Sequence, residues 1–348
     1  MFDLAVVGGG IIGATVAFEA HARHPDWALA VVDPAPACGA TCWSLGVSFP
    51  LAPTTGHRAM VRESLAWHAA WSGTPTPRQS LRMLFVVGSA RRRTFLSAVD
   101  GAAFGPAPRE LIEEAREAWS LQLGDDDEVL MGDDRVFRID APALARQLIV
   151  AAEAVTIESR VDALTVEEDA SSLALDDGLS VAARRVVVAT GSWYPSGLGK
   201  QLGVPSGVVV KRVSALECDV RRADAPAVYF VDDDLMIVPD DRGGRTLVSF
   251  YRRAWSDDPD VLTGALSSAD AAEGTAALLR RSPSLAAAVV GGRSFCDAYA
   301  PERLPICMSA GPDVVAIVGG SGSGVRLAPA LADLAMRQLD GGRLVETM

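Results

Sequence analysis

Asp3-Leu4-Ala5-Val6-Val7-Gly8-Gly9-Gly10-Ile11-Ile12-Gly13 opens the chain, and a second apolar stretch over 28–32 ends on Asp33. Strand, glycine turn, helix, strand and acid follow one another in the order of a dinucleotide-binding fingerprint. Gly8 permits the tight turn off the first strand and Gly10 lets the backbone approach a pyrophosphate. Gly13 allows the helix predicted from Ile11 to about residue 22 to pack closely on the sheet. The first N–H groups of that helix, at Ile11 and Ile12, then face the phosphates. Asp33 stands 20 residues past Gly13, where a carboxylate accepts both hydroxyls of an adenosine ribose and repels a 2′-phosphate. NADP is disfavoured; NAD and FAD both stay open from this stretch alone.

The chain's 348 residues suffice for two domains with sizeable cores, and its 49% hydrophobic content without a low-complexity tract fits a globular protein throughout. A formal charge of −12, from 44 acidic and 32 basic residues, argues against nucleic acid as a partner. The fingerprint begins at once, with no basic region and apolar core before it, and no apolar stretch approaches membrane-spanning length. A cytoplasmic protein without a membrane partner is expected. Five cysteines (Cys38, Cys42, Cys218, Cys296, Cys307) lie scattered without a C-x-x-C pair, so neither a metal site nor a disulfide framework is expected.

Past Asp33 a Pro-, Gly- and Ser-rich segment over 34–53 reads as a loop winding close to a ligand. Helical spacing predicts helices over 56–71, 90–99 and 108–121, with a strand over 81–87; residues 73–77 end the first of these helices, and 125–128 read as a solvated loop. Asp140 is placed to cap a helix with Pro142 in its first turn, running to about 154. Strands are expected near 155–161, 163–168 and 173–175. The run Val186-Val187-Val188 reads as a buried parallel strand stopped by Thr190-Gly191. From 208 to 251 the pattern changes to strands separated by Asp, Gly and Arg turns, an antiparallel sheet in a second domain. Helices over 269–281 and 283–290 follow, then a buried strand over 313–318, a loop Gly319-Gly320-Ser321-Gly322-Ser323-Gly324, and a helix over 328–339 begun around Pro329.

Four features in this order resemble the flavoprotein family of glycine oxidase, D-amino acid oxidase and monomeric sarcosine oxidase. They are the fingerprint ending in Asp33, the loop Gly39-Ala40-Thr41-Cys42-Trp43-Ser44-Leu45-Gly46, the strand end Val188-Ala189-Thr190-Gly191-Ser192-Trp193, and the closing run Gly320 to Pro329. The likeness covers nearly the whole chain. It implies an α/β fold: a Rossmann-like FAD-binding domain (1–48, 140–204 and 301–348) and a second, mainly antiparallel β (α+β) substrate domain (49–139 and 205–300). By the same resemblance FAD is the cofactor. Gly8, Gly10, Ile11, Ile12 and Gly13 would hold its pyrophosphate and Asp33 its ribose, while Thr41, Cys42, Ser44, Leu45 and Gly46 meet phosphates and the isoalloxazine edge. Val161 would meet the adenine through its backbone, and Thr190 and Gly191 would lie beside the cofactor. Gly322, Ser323, Gly324 and Val325 would aim N–H groups at the flavin pyrimidine, where reduction places negative charge.

Substrate residues are implied more loosely. Arg326 follows the closing loop where sarcosine oxidases carry a cation for the substrate carboxylate. Amino acid oxidising members usually set an Arg before a Pro in the stretch that here reads Cys296 to Pro305, but this chain has Tyr299 or Ala300 at that place. Either Arg326 or Arg303 replaces the two-point clamp, or the substrate lacks a free α-carboxylate. Cys296 stands near the position of the thioether link to flavin in sarcosine oxidases; the competing reading is a small core residue. Arg252 is weighed as a ring-facing group against a surface arginine; no lysine stands at its place, where some relatives keep one. The expected activity is oxidation of a C–N bond in a small amine or amino acid by hydride transfer to flavin N5, with oxygen as acceptor and Arg326, Tyr299 and Arg252 orienting the substrate. The alternatives are dehydrogenation of a tailored or carrier-bound intermediate, or a non-catalytic nucleotide-binding subunit; a homo-oligomer is compatible with the sequence.

Overall fold

The computed structural model describes residues 1–73, 78–167, 169–240, 244–252, 255, 258–261 and 264–341. The expected breaker over 74–77, the strand end at 168 and the terminal 342–348 lie outside the described residues. The site is positioned by β1 (Phe2–Val7), α1 (Ile11–Arg23), β2 (Leu29–Val32), α2 (Thr55–Ala70), β3 (Ser180–Val188), β4 (Val209–Cys218), β5 (Val289–Tyr299), β6 (Val314–Val318) and α3 (Gly324–Leu339).

In the first sheet β1 lies between β2 and β3, parallel to both, and the end of β3 continues parallel to β6. The start of β3 pairs antiparallel with Ser171–Leu175, and β2 pairs parallel with Val155–Ile157. Alternation along β1 divides its side chains between two faces. Leu4 and Val6 join α1, α3 and the helix Ala141–Ala151 in one apolar cluster, while Ala5 and Val7 join Val186, Val188 and Tyr194 in another. Burial on both faces is why these strands read as uninterrupted apolar runs.

The second sheet has eight strands, in the order β5, β4, Arg245–Phe250, Leu235–Asp240, Ala227–Phe230, Met83–Gly88, Asp127–Gly132 and Phe104–Pro106. Neighbours run antiparallel except Ala227–Phe230 against Met83–Gly88, which are parallel. The helix Arg109–Trp119 covers it with Leu111, Ala115 and Trp119, a stripe spaced every fourth residue whose Trp119 Nε1 donates to the Pro226 carbonyl at 2.7 Å.

Four expectations need correction. Residues 127–132 form a strand where a solvated loop was expected, and Ala227–Phe230 and Ile306–Gly311 were not anticipated as strands. The helix expected over 283–290 is confined to Pro283–Ala287, and the long strand β5 takes over at Val289. Its Gly291-Gly292 pair hides the strand pattern, and a Cβ on Gly292 would stand 2.4 Å from the Ala215 carbonyl oxygen of β4. Finally, α3 starts at Gly324 and carries Pro329 inside it. A proline there lacks an N–H and displaces the carbonyl four residues back. That carbonyl, of Val325, receives a hydrogen bond from the His68 ring, and the next N–H, of Ala330, donates to Ser64 Oγ at 3.3 Å. Ser64 and His68, one turn apart on α2, thus repair the interruption in α3.

Burial holds His68 neutral, pulling its pKa from 6.5 down to about 4. Below 6.5 the unfolded chain binds a proton that the folded chain refuses, so this group's contribution is intact above pH 6.5 and is lost as pH falls toward 4. Calorimetric melting from pH 7 to 4.5 should therefore show a steeper loss of stability in the wild type than in His68→Gln, by roughly 2–3 kcal/mol at the acid end. Parallel pH profiles would refute the assignment.

Candidate active site

A cleft of about 1020 Å³ runs between the two sheets, larger than the upper end of ordinary small-molecule pockets at about 1000 Å³. Its walls come from both glycine turns, the loop after β2, the end of β3 and the inner face of the second sheet.

At the β1 end two glycines are fixed by contact. Gly8 has φ +105°, and a Cβ on it would stand 2.5 Å from the Ala189 carbonyl oxygen. A Cβ on Gly13 would stand 1.8 Å from the Gly8 carbonyl oxygen, so Gly13 serves helix packing and does not itself line the cleft. Gly10, Ile11 and Ile12 do line it. The Ile11 N–H donates to Thr41 Oγ1 at 2.9 Å, which brings the loop after β2 onto the start of α1. Asp33 accepts the Gly9 N–H at Oδ2 (2.6 Å) and the Ala35 N–H at Oδ1 (2.7 Å). Each oxygen retains a second lone pair for a hydroxyl. Val161, Thr190 and Gly191 complete this end. Thr190 Oγ1 and Ser192 Oγ are buried without a partner inside the protein, the condition expected of groups that meet a ligand. Crowded glycines, orphaned hydroxyls and a braced acid fit a dinucleotide.

In the loop after β2, Thr41, Ser44, Leu45 and Gly46 face the cleft, and Cys42 does not. Gly46 has φ +68°, and a Cβ there would meet the Ile139 carbonyl oxygen at 1.9 Å. Arg138, 4% exposed and absent from the sequence reading, donates from Nε to the Leu45 carbonyl (3.2 Å) and from Nη1 to the Pro239 carbonyl (2.8 Å). It ties this loop to the second sheet.

The closing loop is fastened to the end of β5. Ser321 N–H donates to the Ala298 carbonyl (2.9 Å), Ala300 N–H to Ser321 Oγ (3.0 Å), and Gly322 N–H to Asp297 Oδ2 (2.6 Å). A Cβ on Gly324 would lie 3.7 Å from Ile12 Cδ1, so the first and last glycine turns adjoin, as two supports of one long ligand would. Gly322, Ser323, Gly324 and Val325 all line the cleft.

Strand alternation decides which residues of β5 reach the ligand. Phe295, Asp297 and Tyr299 line the cleft, whereas Cys296 is 5% exposed and absent from its walls. Of the two readings of Cys296, this geometry fits the small core residue and not the thioether: Cys296 faces away from the cleft, on the other side of β5. Tyr299 stands edge-on to Trp255, ring centroids 5.3 Å apart, and burial raises its phenol pKa. Arg252 is not a surface arginine. It is bound to the buried Asp270 carboxylate, which Arg212 also approaches at 3.4 Å, and it lines the cleft. Arg326 is 6% exposed, with Nη1 on the Phe49 carbonyl (3.3 Å), Nη2 on Ser323 Oγ, and Nε buried without a partner. Burial lowers its pKa to about 10, and among the described residues no carboxylate pairs with it. A cation in the first turn of a helix opposes the dipole and needs another anion.

Two further cleft residues escaped the sequence reading. Burial pushes the Asp297 carboxyl up to about 6, against the pull of the Gly322 and Ala298 N–H groups. Lys211, on β4, is 5% exposed and holds its ammonium against the rings of Tyr251, Trp255 and Tyr299. The only signal of it is a lysine following three valines, Val208-Val209-Val210-Lys211. His57, for which the sequence suggested no role, bonds Thr54 Oγ1 at 2.9 Å and the Arg303 carbonyl at 3.2 Å. Among the described residues no His, Cys, Asp or Glu cluster could hold a metal ion, and no helix is long and apolar enough to cross a membrane.

A family model described as FAD dependent oxidoreductase matches residues 3–338. Among solved structures, glycine oxidase from Geobacillus kaustophilus is similar at TM-score 0.77 and 19% identity, over 99% of this chain and 96% of that one. L-proline dehydrogenase from P. horikoshii reaches TM-score 0.82 at 16% identity over 99% and 95%, and iminodiacetate oxidase from Chelativorans sp. BNC1 reaches 0.73 at 19% over 98% and 96%. No curated protein matches by sequence. These likenesses agree in fold with the two sheets described above.

Gly8→Ala forces a Cβ against the Ala189 carbonyl in a left-handed backbone conformation. It should cost about 1–3 kcal/mol of stability and yield protein with substoichiometric flavin, read from the visible to ultraviolet absorbance ratio. Full flavin content with unchanged melting would contradict the geometry.

Proposed function

Because the chain belongs to the FAD-dependent oxidoreductase family, we propose that it oxidises the C–N bond of a small amine or amino acid to an imine, with oxygen as final acceptor. The observation that carries this reading is the continuity of the cleft: two adjoining glycine turns open into a chamber walled by the second sheet, where Arg326 lies buried without a carboxylate partner among the described residues. Bound FAD supplies the hydride acceptor. Gly8, Gly10, Asp33, Thr190 and the loops at 41–46 and 322–325 hold it; this part of the reading assigns 1–48, 140–204 and 301–348 to the cofactor and 49–139 and 205–300 to the substrate.

The chain's own work is to orient the substrate and remove a proton. Arg326 offers its unpartnered Nε–H to a substrate carboxylate, and the Tyr299 ring packs against the substrate. Asp297, its Oδ2 held by the Gly322 N–H, takes a proton from the substrate ammonium, because the free amine is the form that gives up hydride. The product imine hydrolyses to a carbonyl compound and an amine or ammonia, and oxygen becomes peroxide. Among the structural neighbours, the glycine oxidase, L-proline dehydrogenase and iminodiacetate oxidase are named for amines that carry carboxylates, which supports such a substrate. The missing clamp arginine, whose place Tyr299 or Ala300 takes, favours the second reading, dehydrogenation of a carrier-bound intermediate.

Anaerobic mixing of the holoprotein with amino acids, N-methyl amino acids and carboxyl-free amines separates the two. Bleaching of the visible flavin band by a free amine or amino acid is the expected result; no bleaching by any of them sinks the first reading. Arg326→Met should raise KM for a carboxylate-bearing substrate by about 10- to 100-fold, the loss expected of a charge-assisted hydrogen bond.

A further inference from the structure

Lys211 on β4 lies directly opposite Asp297 on β5, a register in which opposite charges ordinarily meet. Here they part. Asp297 turns to the closing loop and accepts the Gly322 N–H at 2.6 Å. The Lys211 ammonium turns into an aromatic cage, 4.0 Å from the Tyr251 ring centroid, 4.6 Å from that of Trp255 and 5.5 Å from that of Tyr299. The side chain is 5% exposed and lines the cleft, and among the described residues no carboxylate stands within ion-pair distance of it.

Magnitudes show what such an arrangement lacks. Withdrawing an ammonium from water is costly, and ring faces return only part of what the lost hydration supplied. The deficit shows in the ammonium's pKa, which burial lowers, with the charge of Asp234 opposing only in part. A buried cation whose cross-strand acid is engaged elsewhere is completed by an anion that arrives with a ligand.

Resting on the reading above that the cleft holds an amine, we propose that Lys211 binds an anionic group of the substrate, so that the site selects amines bearing a carboxylate over plain amines. The cage fixes the ammonium as a point charge, and with Arg326 it supplies two cations from different elements, although neither Tyr299 nor Ala300 has a positive charge to offer. The clamp that β5 lacks is supplied by its neighbour β4.

Calorimetric titration of the oxidised holoprotein with propionate and with propionamide tests this without turnover. The wild type should prefer propionate, and Lys211→Met and Lys211→Gln should each lower propionate affinity by about 10- to 100-fold while leaving propionamide binding unchanged. Equal affinity of the wild type for both probes, or an undiminished preference in both variants, overturns the proposal. Should neither variant fold, Trp255→Leu at an exposed position decides: a severalfold selective loss of propionate binding supports the cage, and no change refutes it. Lys211-dependent carboxylate binding in a protein that oxidises no amine would leave this inference standing and remove the reaction. Amine oxidation with Lys211-independent binding would do the reverse.

Discussion

The absence of a Cβ at two positions governs the arrangement of everything else. With no side chain on Gly13, α1 lies against the turn after β1, and with no side chain on Gly8 that turn lies against the end of β3. Adding a methyl group at either point puts it inside van der Waals contact with a backbone carbonyl, which cannot move aside without parting the strands. Because α1 is thus fixed on the sheet, its first N–H groups open toward the cleft, and Thr41 can bring the following loop onto them. The neighbouring α3 shares the same apolar cluster, so the closing glycine turn arrives beside the first.

Pro329 shows how such an assembly tolerates a local fault. A proline inside α3 frees one carbonyl and disturbs the next turn, yet the two groups that answer it, His68 and Ser64, come from a helix about 260 residues earlier in the chain. The repair has a second effect, since it clamps α2 against the helix whose first turn carries Arg326. Position of that arginine therefore depends on buried hydrogen bonds that are neutral and remote from the chemistry.

Electrostatics inside the cleft run against those of the whole chain. The protein carries a net charge of −12, but Arg326 and Lys211, both nearly buried, face the cleft without carboxylate partners among the described residues, while Arg252 and Arg212 share Asp270. A desolvated cation is expensive unless an anion joins it, and the uncompensated ones mark where a ligand's charge belongs. Asp297 remains close by on the neighbouring strand, fixed by a backbone amide, so groups of both signs line the cleft.

The first sheet and its opening turn were legible because their requirements are local: glycines at 8, 10 and 13, an acid at 33, and apolar runs at 4–7, 29–32 and 186–188 act through neighbours within one strand–turn–helix unit or one sheet. The family likeness and the mainly antiparallel second sheet could also be read there. Other features were invisible for a physical reason. Whether Cys296 or Asp297 faces the cleft depends on the phase of β5, and its Gly291-Gly292 start conceals the strand. The choice between a surface and a bound Arg252 depends on Asp270, which lies in a different element. Lys211 looks like an interruption of an apolar strand until β5 brings Tyr299 beside it and the adjoining segment brings Tyr251 and Trp255. Sequence alone determined the first glycine turn, whose geometry is set by backbone sterics over a few residues. Only the tertiary structure decided the lining of the cleft, because burial and pairing of charge are set by side chains that meet across tens to hundreds of residues.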